Sequence, residues 1–307
     1  MAEEIIIIGA GPAGLSAAIY AAREDFRPVI ISGSITGGQL LLTSMVENYP
    51  AFPNGIEGPD LMRLMKRQAE RFGARFVYEE ATGIDLDIKP FRVRTDSGNF
   101  ESKVLIIATG ASPLWLGIDS EKKFMGKGVS TCATCDAPFF KGKNVMVVGG
   151  GDTAMEDSLF LAKFADRVTI IHRRDRFRAS RIMQNKVLGN EKIDIIWNSE
   201  IDEISGKNTV NAVTIRDVNT RQKREIPTGG VFIAIGHRPN TAFLNGKLPL
   251  DEKGYVRTIN EVRTRIDGLY IAGDVADGVY RQAVTAAASG VKAALEARAY
   301  LQNTGIE

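Results

Sequence analysis

The chain has 307 residues, of which 44% are hydrophobic and 25% are charged, and its net charge at pH 7 is +2. This composition is typical of a globular protein with room for two domains, and it gives no sign of a nucleic-acid or membrane partner. Two cysteines in this length exclude a disulfide-scaffolded secreted protein. The apolar run Ile5 to Ile8 follows acidic residues and stops at Gly9, so it is too short for a signal sequence or a membrane span. We therefore expect a cytoplasmic protein.

The N-terminus has the pattern of a dinucleotide-binding unit. Residues 4–8 form a β-branched apolar run, which is typical of a strand buried on both faces of a parallel sheet. Gly9, Gly11 and Gly14 follow at the spacing of the dinucleotide fingerprint, before an alanine-rich helix from Leu15 to Arg23. The first glycine allows a tight turn, the second lets the backbone approach a pyrophosphate, and the third lets the helix pack on the strand. The amino end of the helix then offers free N–H groups to the phosphates.

The second strand of this unit, Pro28 to Ser32, departs from the fingerprint at its end. The fingerprint expects an acidic residue there to bind a ribose hydroxyl, but the chain has no carboxylate after this strand until Glu47. Ribose binding is therefore left to Ser32, to the backbone or to another segment. A glycine-rich loop, 36–40, comes next.

The rest of the first half predicts one helix and four strands. Gly58 to Phe72 has the pattern of an amphipathic helix with basic outer residues. The predicted strands are 75–80, 83–88, 91–95 and 104–108. The last of them is buried and ends in Thr109-Gly110.

Both cysteines stand two residues apart, in the pentapeptide Cys132-Ala133-Thr134-Cys135-Asp136. One turn of helix brings two sulfurs at this spacing together, so the pair can close into a disulfide and open again. A thiolate at a helix N-terminus has a lowered pKa, and Asp136 could carry a proton to the thiolate that leaves. Two alternatives stay open on this motif alone. One is half of a zinc site, with His172 and His237 as further candidates, and the other is two unrelated thiols in the core.

The dinucleotide pattern then returns, and this internal repeat is the main organisational feature of the sequence. Lys143 to Val148 is a predicted strand, and a helix to about Phe164 follows the glycine motif. Ala154 takes the place of the third glycine, as the fingerprint allows. The motif residues that we assign to cofactor binding are Gly149, Gly151, Asp152, Thr153 and Ala154.

Three arginines stand where an NAD site would have an acid. The next predicted strand, 167–171, ends in His172-Arg173-Arg174, and Arg178 follows one turn later. Arginine side chains match phosphate oxygens, so the 2′-phosphate of NADP is the natural ligand. The alternative is a solvated basic face.

The last third of the chain predicts an antiparallel excursion and a return to the buried pattern. The strands of the excursion are 193–197, 200–204, 209–215 and 223–226. Buried strands 231–235 and 269–272 end in Gly236 and in Gly273-Asp274, and open α/β sheets bind ligands at such strand ends. We expect His237 to be a structural or cofactor-edge residue. Arg281-Gln282-Ala283 then opens a helix from Ala283 to Leu301, most of which we expect to serve packing.

With these motifs in this order, the chain closely resembles the low-molecular-weight thioredoxin reductases over essentially its full length. The most specific part of the resemblance is the cysteine pentapeptide just before the second glycine motif. The resemblance implies an α/β fold with two Rossmann-like nucleotide-binding domains, for FAD and NADPH, the second inserted in the first. The implied FAD domain comprises 1–114 and 242–307, and the NADPH domain with the cysteines comprises 115–241. The crossings 111–116 and 236–241 would act as a hinge.

The resemblance also implies roles for single residues. Cys135 would face the flavin, Cys132 would attack the partner's disulfide, and Asp136 would be the acid/base. Phe139 and Phe140 would lie on the surface that receives thioredoxin. Residues that match the family's FAD contacts are Gly38, Gln39, Asn48, Asp274, Arg281, Gln282 and Ala283. At the same loop and at strand ends we add Ser32, Leu40, Thr109, Gly110 and Gly236.

The implied reaction is a relay from NADPH through FAD to the Cys132–Cys135 disulfide, and from there to a thioredoxin or thioredoxin-like protein. The family rotates its inserted domain between the two half-reactions and forms a homodimer. Three other functions match part of this pattern. A ferredoxin-type flavin reductase lacks the cysteine pair, and a peroxiredoxin-linked reductase carries an N-terminal thioredoxin-like extension, whereas this chain starts directly at the FAD strand. A nucleotide sensor would need no cysteine pair.

Overall fold

The computed structural model describes residues 2–34, 36–43 and 45–305. The chain divides into two compact units. The first unit comprises Met1–Ser112 and Arg238–Glu307, and the second unit comprises Pro113–His237. Five residues of the predicted FAD domain lie outside the described part: Met1, Ile35, Ser44, Ile306 and Glu307. The cofactor that each domain holds stays a prediction at this point.

The described residues form the following helices and strands. The helices are α1 (Pro12–Arg23), α2 (Gly58–Arg71), α3 (Asp119–Lys123), α4 (Ala133–Asp136), α5 (Asp152–Leu161), α6 (Arg181–Leu188) and α7 (Ala283–Thr304). The strands are β1 (Glu3–Ile8), β2 (Val29–Ile31), β3 (Met45–Val46), β4 (Ile56–Glu57), β5 (Arg75–Val77), β6 (Ala81–Asp85), β7 (Phe91–Thr95), β8 (Asn99–Ile107), β9 (Ala111–Pro113), β10 (Val129–Ser130), β11 (Asn144–Val148), β12 (Arg167–Ile171), β13 (Ile193–Ile196), β14 (Ser199–Gly206), β15 (Val210–Asp217), β16 (Lys223–Pro227), β17 (Gly230–Ile233), β18 (His237–Pro239) and β19 (Leu269–Ile271). Short 3₁₀ helices cover Gly38–Leu42, Ala137–Phe140, Ala242–Leu244 and Gly273–Val275.

The first unit is built on a parallel sheet in the order β5-β2-β1-β8, with β19 as a further parallel strand beside β8. Strand β7 pairs antiparallel with the first residues of β8, and β6 pairs antiparallel with β7. Helices α1, α2 and α7 bury one face of β1, and the β6–β7 hairpin helps to bury the other. This explains why the residues Ile5 to Ile8 are apolar without alternation.

Small residues let α7 lie close to α1. A Cβ added at Gly290 would stand 1.9 Å from the carbonyl oxygen of Ala13, so only glycine fits at this crossing. The alanine-rich pattern of both helices thus serves packing, as expected for α7.

The second unit repeats the same plan with a parallel sheet in the order β10-β17-β11-β12-β13. Helices α4, α5 and α6 contribute to the core on one face of this sheet. The antiparallel sheet β14-β15-β16 packs on the other face. Two parallel sheets, each with the strand–glycine–helix start of a nucleotide-binding domain, confirm the predicted fold class.

The structure adds elements that the pattern did not predict. Strand β10 has only two residues, and α6 has a weak apolar face with Val187 as its only buried residue, so neither carried a periodic signal. The predicted strand 75–80 ends at Val77, and 83–88 is shifted to Ala81–Asp85. Within the described part of the chain, no helix is both long enough and apolar enough to cross a membrane.

Candidate active site

The cysteine pair lies at the start of α4, directly after β10. Cys132 is the N-cap residue of this helix, and the two sulfurs form a disulfide with 5.3 Å between the Cα atoms. Ala133 and Ala137 are buried in the core of the second unit and hold the segment against the sheet, while both cysteines are half-buried. The predicted pair is therefore a closed disulfide that solvent reaches in part. Among the described residues no cluster of potential ligands could hold a metal ion.

Hydrogen bonds hold the backbone of Cys132, and its sulfur has a hydroxyl neighbour. The Ser130 hydroxyl accepts a bond from the Cys132 N–H at 3.0 Å, and the Asp136 N–H donates to the Cys132 carbonyl at 3.1 Å. The Cys132 Sγ lies 3.4 Å from the Thr134 hydroxyl. Once the disulfide opens, this hydroxyl can donate to a Cys132 thiolate and favour its charged form.

Asp136 is the only acidic residue in this segment, and it is half-buried. Burial raises the pKa of its carboxyl, while the nearby Ser130 hydroxyl acts in the opposite direction. A carboxyl with a raised pKa keeps its proton to a higher pH, so it can deliver that proton to a leaving thiolate. The predicted acid/base role therefore has a physical basis at this position.

The aromatic residues after α4 differ from the expectation. Phe139 is exposed, but Phe140 is buried, and its ring packs edge-on against Phe232 at 5.0 Å between centroids. Phe140 also fills the space beside Gly230, where an added Cβ would stand 2.2 Å from its ring. The expectation that both rings lie on the surface is thus wrong for Phe140, because strand β17 offers it an apolar site.

The first glycine loop has the steric requirements of the fingerprint. Gly9 has a φ of 108°, and a Cβ there would stand 2.3 Å from the Ala108 carbonyl oxygen. A Cβ at Gly14 would stand 1.9 Å from the Gly9 carbonyl oxygen, which holds α1 against the turn. Gly11 is the N-cap of α1 and faces open space. A Cβ added at Gly38 would stand 3.4 Å from the Gly11 Cα, and Gly38 starts the 3₁₀ helix that contains Gln39 and Leu40. The structure thus leaves room for a phosphate at the amino end of α1.

Asp274 carries a buried oxygen that the protein leaves unsatisfied. Its Oδ1 has no hydrogen-bond partner among the described residues. Burial and the neighbouring Asp277 raise the pKa of Asp274 to about 6, against the opposite effect of Arg281. Gly273, with a φ of 75°, brings this strand end to α1, because a Cβ there would stand 2.8 Å from the Cβ of Ala13. An unsatisfied buried acceptor of this kind fits a hydroxyl of a bound ligand.

The loop before α7 joins two other predicted contacts. Asn48 donates its side-chain N–H to Gln282 Oε1 at 3.2 Å. Gln282 is the N-cap of α7 and forms a capping box with Thr285, so Ala283 is the first residue of this helix. Arg281 has a φ of 48°, which turns the chain into the helix.

Thr109 and Gly110, at the end of β8, are bound by a residue that the sequence did not assign to the site. Asn240 accepts a bond from the Thr109 hydroxyl at 2.9 Å and donates its side-chain N–H to the Thr109 carbonyl at 2.9 Å. Its own N–H donates to the Gly110 carbonyl at 2.9 Å. The sequence contained a signal for this role of Asn240, because Asn240 comes after β18 in the same way that Thr109-Gly110 comes after β8.

In the second unit, the predicted residue Gly236 comes after β17 and has a φ of 117°.

The second glycine loop meets the same requirements. A Cβ at Gly149 would stand 2.5 Å from the Ala234 carbonyl oxygen, whereas Gly151, the N-cap of α5, faces open space. Ala154 is fully buried below the loop, and Thr153 is half-buried in the first turn of α5. Asp152 accepts bonds from the N–H and the hydroxyl of Ser180 at 2.9 and 2.8 Å, which links α5 to the start of α6.

His172 supports this loop from below. It is buried, its Nε2 lies 3.0 Å from the Arg176 carbonyl oxygen, and a Cβ at Gly150 would stand 2.2 Å from its ring. Desolvation is the main cause that lowers the pKa of His172, and this favours the neutral form of the ring. The contacts are those of a packing residue, and its assignment to cofactor binding stays a prediction.

The three predicted arginines follow β12 at the surface, and Arg178 contacts the second glycine loop through its backbone. Arg173, Arg174 and Arg178 are exposed, and the Arg178 N–H donates to the Gly150 carbonyl at 2.7 Å. Among the described residues, no salt bridge involves any of these three guanidinium groups. They are therefore available to an anionic ligand beside the amino end of α5.

Comparisons with known proteins agree with this geometry. The sequence profile of the family described as pyridine nucleotide-disulphide oxidoreductase matches residues 3–290. A curated thioredoxin reductase of Rickettsia typhi is 48% identical over 97% of this chain and 98% of its own length. One of Streptomyces clavuligerus is 47% identical over 97% of this chain and 94% of its own length.

Solved structures give the same result. A thioredoxin reductase from Giardia duodenalis has a TM-score of 0.92 at 43% identity and covers 97% of this chain and 98% of its own. One from Streptococcus pyogenes has a TM-score of 0.93 at 38% identity, with the same coverage of 97% and 98%. These matches confirm the resemblance drawn from the motifs, and the family works with a flavin and a pyridine nucleotide. The chain therefore belongs to the pyridine nucleotide-disulphide oxidoreductases, and among them to the thioredoxin reductases.

Proposed function

We propose that this chain reduces thioredoxin with electrons from NADPH, through FAD in the first unit and the Cys132–Cys135 disulfide in the second. The observation that carries the proposal is a half-buried CxxC disulfide in a chain with two dinucleotide-binding glycine loops. The substrate follows from the names of relatives that match nearly the whole chain. A cytoplasmic location and a homodimer stay predictions.

FAD suits the first unit because its features match a dinucleotide. The open amino end of α1 at Gly11 is suited to a pyrophosphate, which FMN lacks. The buried Oδ1 of Asp274 would accept a bond from a cofactor hydroxyl, and Thr36 Oγ1 is a second buried oxygen without a partner in the described residues. Other residues proposed to hold FAD are Gly9, Gly14, Ser32, Gly38, Gln39, Leu40, Asn48, Thr109, Gly110, Gly273, Arg281, Gln282 and Ala283.

NADPH suits the second unit because three exposed arginines follow β12. Arg173, Arg174 and Arg178 would bind the 2′-phosphate, while the amino end of α5 would bind the pyrophosphate. Further residues proposed for this site are Gly149, Gly151, Asp152, Thr153, Ala154, His172 and Gly236.

The flavin, when bound, links the two-electron chemistry of the nicotinamide to that of the disulfide. We assign Cys135 to the flavin side and Cys132 to the partner. The Cys132 thiolate attacks one sulfur of the oxidised thioredoxin, and Cys135 then attacks Cys132 in the mixed disulfide. The Cys132–Cys135 bond forms again, and thioredoxin leaves as a dithiol. Asp136 supplies the proton that the departing thiolate of the partner takes up.

Steady-state turnover tests this function. The purified chain should be yellow and should oxidise NADPH continuously only when a thioredoxin disulfide is present. Replacing Cys135 by Ser should abolish thioredoxin reduction while NADPH still bleaches the flavin. A protein that takes up no flavin, or a Cys135→Ser variant that still reduces thioredoxin, would refute the proposal.

A further inference from the structure

The chain after β5 runs beside the chain after β2, where the fingerprint acid is missing. Ile31 and Val77 are register partners in these parallel strands. Beyond them, the Ser32 N–H donates to the Val77 carbonyl at 2.9 Å, and the Gly33 N–H donates to the Glu79 carbonyl at 3.1 Å. Residues that follow β5 are therefore held at the strand end at which a dinucleotide's ribose would bind.

Glu80 places its carboxylate at this strand end. Its Oε1 accepts bonds from the Ser34 N–H at 3.1 Å and from the Ser34 hydroxyl at 3.2 Å. A Cβ added at Gly33 would stand 2.8 Å from the same oxygen. The carboxylate thus covers the residues from which a fingerprint acid would project. Because both bonds go to Oε1, the second oxygen, Oε2, is left to accept a bond from a ligand.

The other candidates for ribose binding are directed elsewhere. The Ser32 hydroxyl lies 3.0 Å from the Gly33 carbonyl oxygen and 3.2 Å from the Val77 carbonyl oxygen, so its one proton is used within the protein. Glu79 Oε1 accepts a bond from the Ser97 hydroxyl at 2.6 Å, which draws this carboxylate toward the β7–β8 turn, and its Oε2 is buried without a partner among the described residues. Glu47 lies beside Gly55 in the β3–β4 turn.

We infer that Glu80 replaces the fingerprint acid and accepts a hydrogen bond from an adenosine ribose hydroxyl of the dinucleotide bound at the first glycine loop. The inference rests on the proposed function, in which that dinucleotide is FAD. The two bonds from Ser34 hold the carboxylate before the ligand arrives, so little side-chain freedom is lost on binding. The acid reaches the site from the connection after the neighbouring strand β5, 46 residues after Ser34.

The test measures how tightly the holoprotein holds its flavin. The variants are Glu80→Ala and, as a charge-matched control in the same unit, Asp96→Asn, which removes an exposed carboxylate from the β7–β8 turn. Flavin release is followed by fluorescence, and affinity is measured for FAD and for FAD analogues that lack the adenosine 2′- or 3′-hydroxyl. Glu80→Ala should weaken FAD binding about tenfold, and the control should leave it unchanged.

The analogues make the test independent of folding. Unaltered protein should prefer FAD to at least one deoxy analogue about tenfold, and Glu80→Ala should lose that preference. Equal affinity of the unaltered protein for FAD and both analogues would overturn the inference, as would a Glu80→Ala variant that keeps the preference. Unaltered protein that binds no flavin would overturn the proposed function as well, so the two failures are distinguishable.

Discussion

Replacing Asp274 by Asn should stabilise the cofactor-free protein at high pH. Burial and Asp277 raise the pKa of Asp274 from 3.8 to about 6, against the opposite effect of Arg281. The Asp274 carboxyl binds its proton more tightly in the folded than in the unfolded protein. It therefore stabilises the folded state fully below pH 3.8, and this stabilisation is lost as the pH rises through about 6. Between about pH 5 and about pH 8, the unaltered protein should therefore lose about 1.4 kcal/mol of unfolding free energy that the variant keeps.

Denaturant unfolding of both cofactor-free proteins at the two pH values measures this difference. The stability gained by Asp274→Asn should be larger at the higher pH, while Asp96→Asn, which removes an exposed carboxylate, should show no such dependence. The same variant should bind FAD less tightly, because a neutral amide is a weaker acceptor for a cofactor hydroxyl than a carboxylate. A gain that is identical at both pH values would refute the reasoning, since it would mean that the carboxyl is ionised equally in both states.

Three further outcomes follow from the second unit. Replacing Arg173 and Arg174 together should raise the KM for NADPH by tenfold or more and leave that for NADH nearly unchanged, and equal losses would exclude a 2′-phosphate contact. A thioredoxin that carries an activated mixed disulfide should cross-link to Cys132 in the Cys135→Ser variant and hardly at all to the Cys132→Ser variant; the reverse pattern would exchange the two roles. Asp136→Asn should slow thioredoxin reduction at least tenfold with flavin reduction by NADPH unaltered, and an unchanged rate would remove Asp136 from the proton transfer.

The parts predicted from the sequence were those in which one residue type is sterically required. The turn at Gly9 and the contact of Gly14 with the Gly9 carbonyl admit no side chain, so the motif identifies the local structure by itself. The same holds for Gly149 against the Ala234 carbonyl. Both nucleotide-binding units and the cysteine helix between them could therefore be predicted in order.

The parts that the sequence did not predict depend on residues far apart in the chain. Phe140 is buried because Phe232 and Gly230 offer it space, and no periodicity links these positions. Glu80 reaches Ser34 only because β5 pairs with β2. Such contacts follow from strand order, which local patterns do not contain.

The discontinuity of the first unit has a consequence for synthesis on the ribosome. The second unit is one continuous segment, Pro113–His237, and its parallel sheet is complete as soon as that segment has emerged. The first unit must wait, because β19 pairs with β8 and Gly290 of α7 contacts Ala13 of α1. Until then one apolar face of its central sheet lacks the cover of α7. The inserted unit can therefore complete its sheet before the unit that surrounds it, and the part of the first core that α7 covers stays open while the second unit is being made.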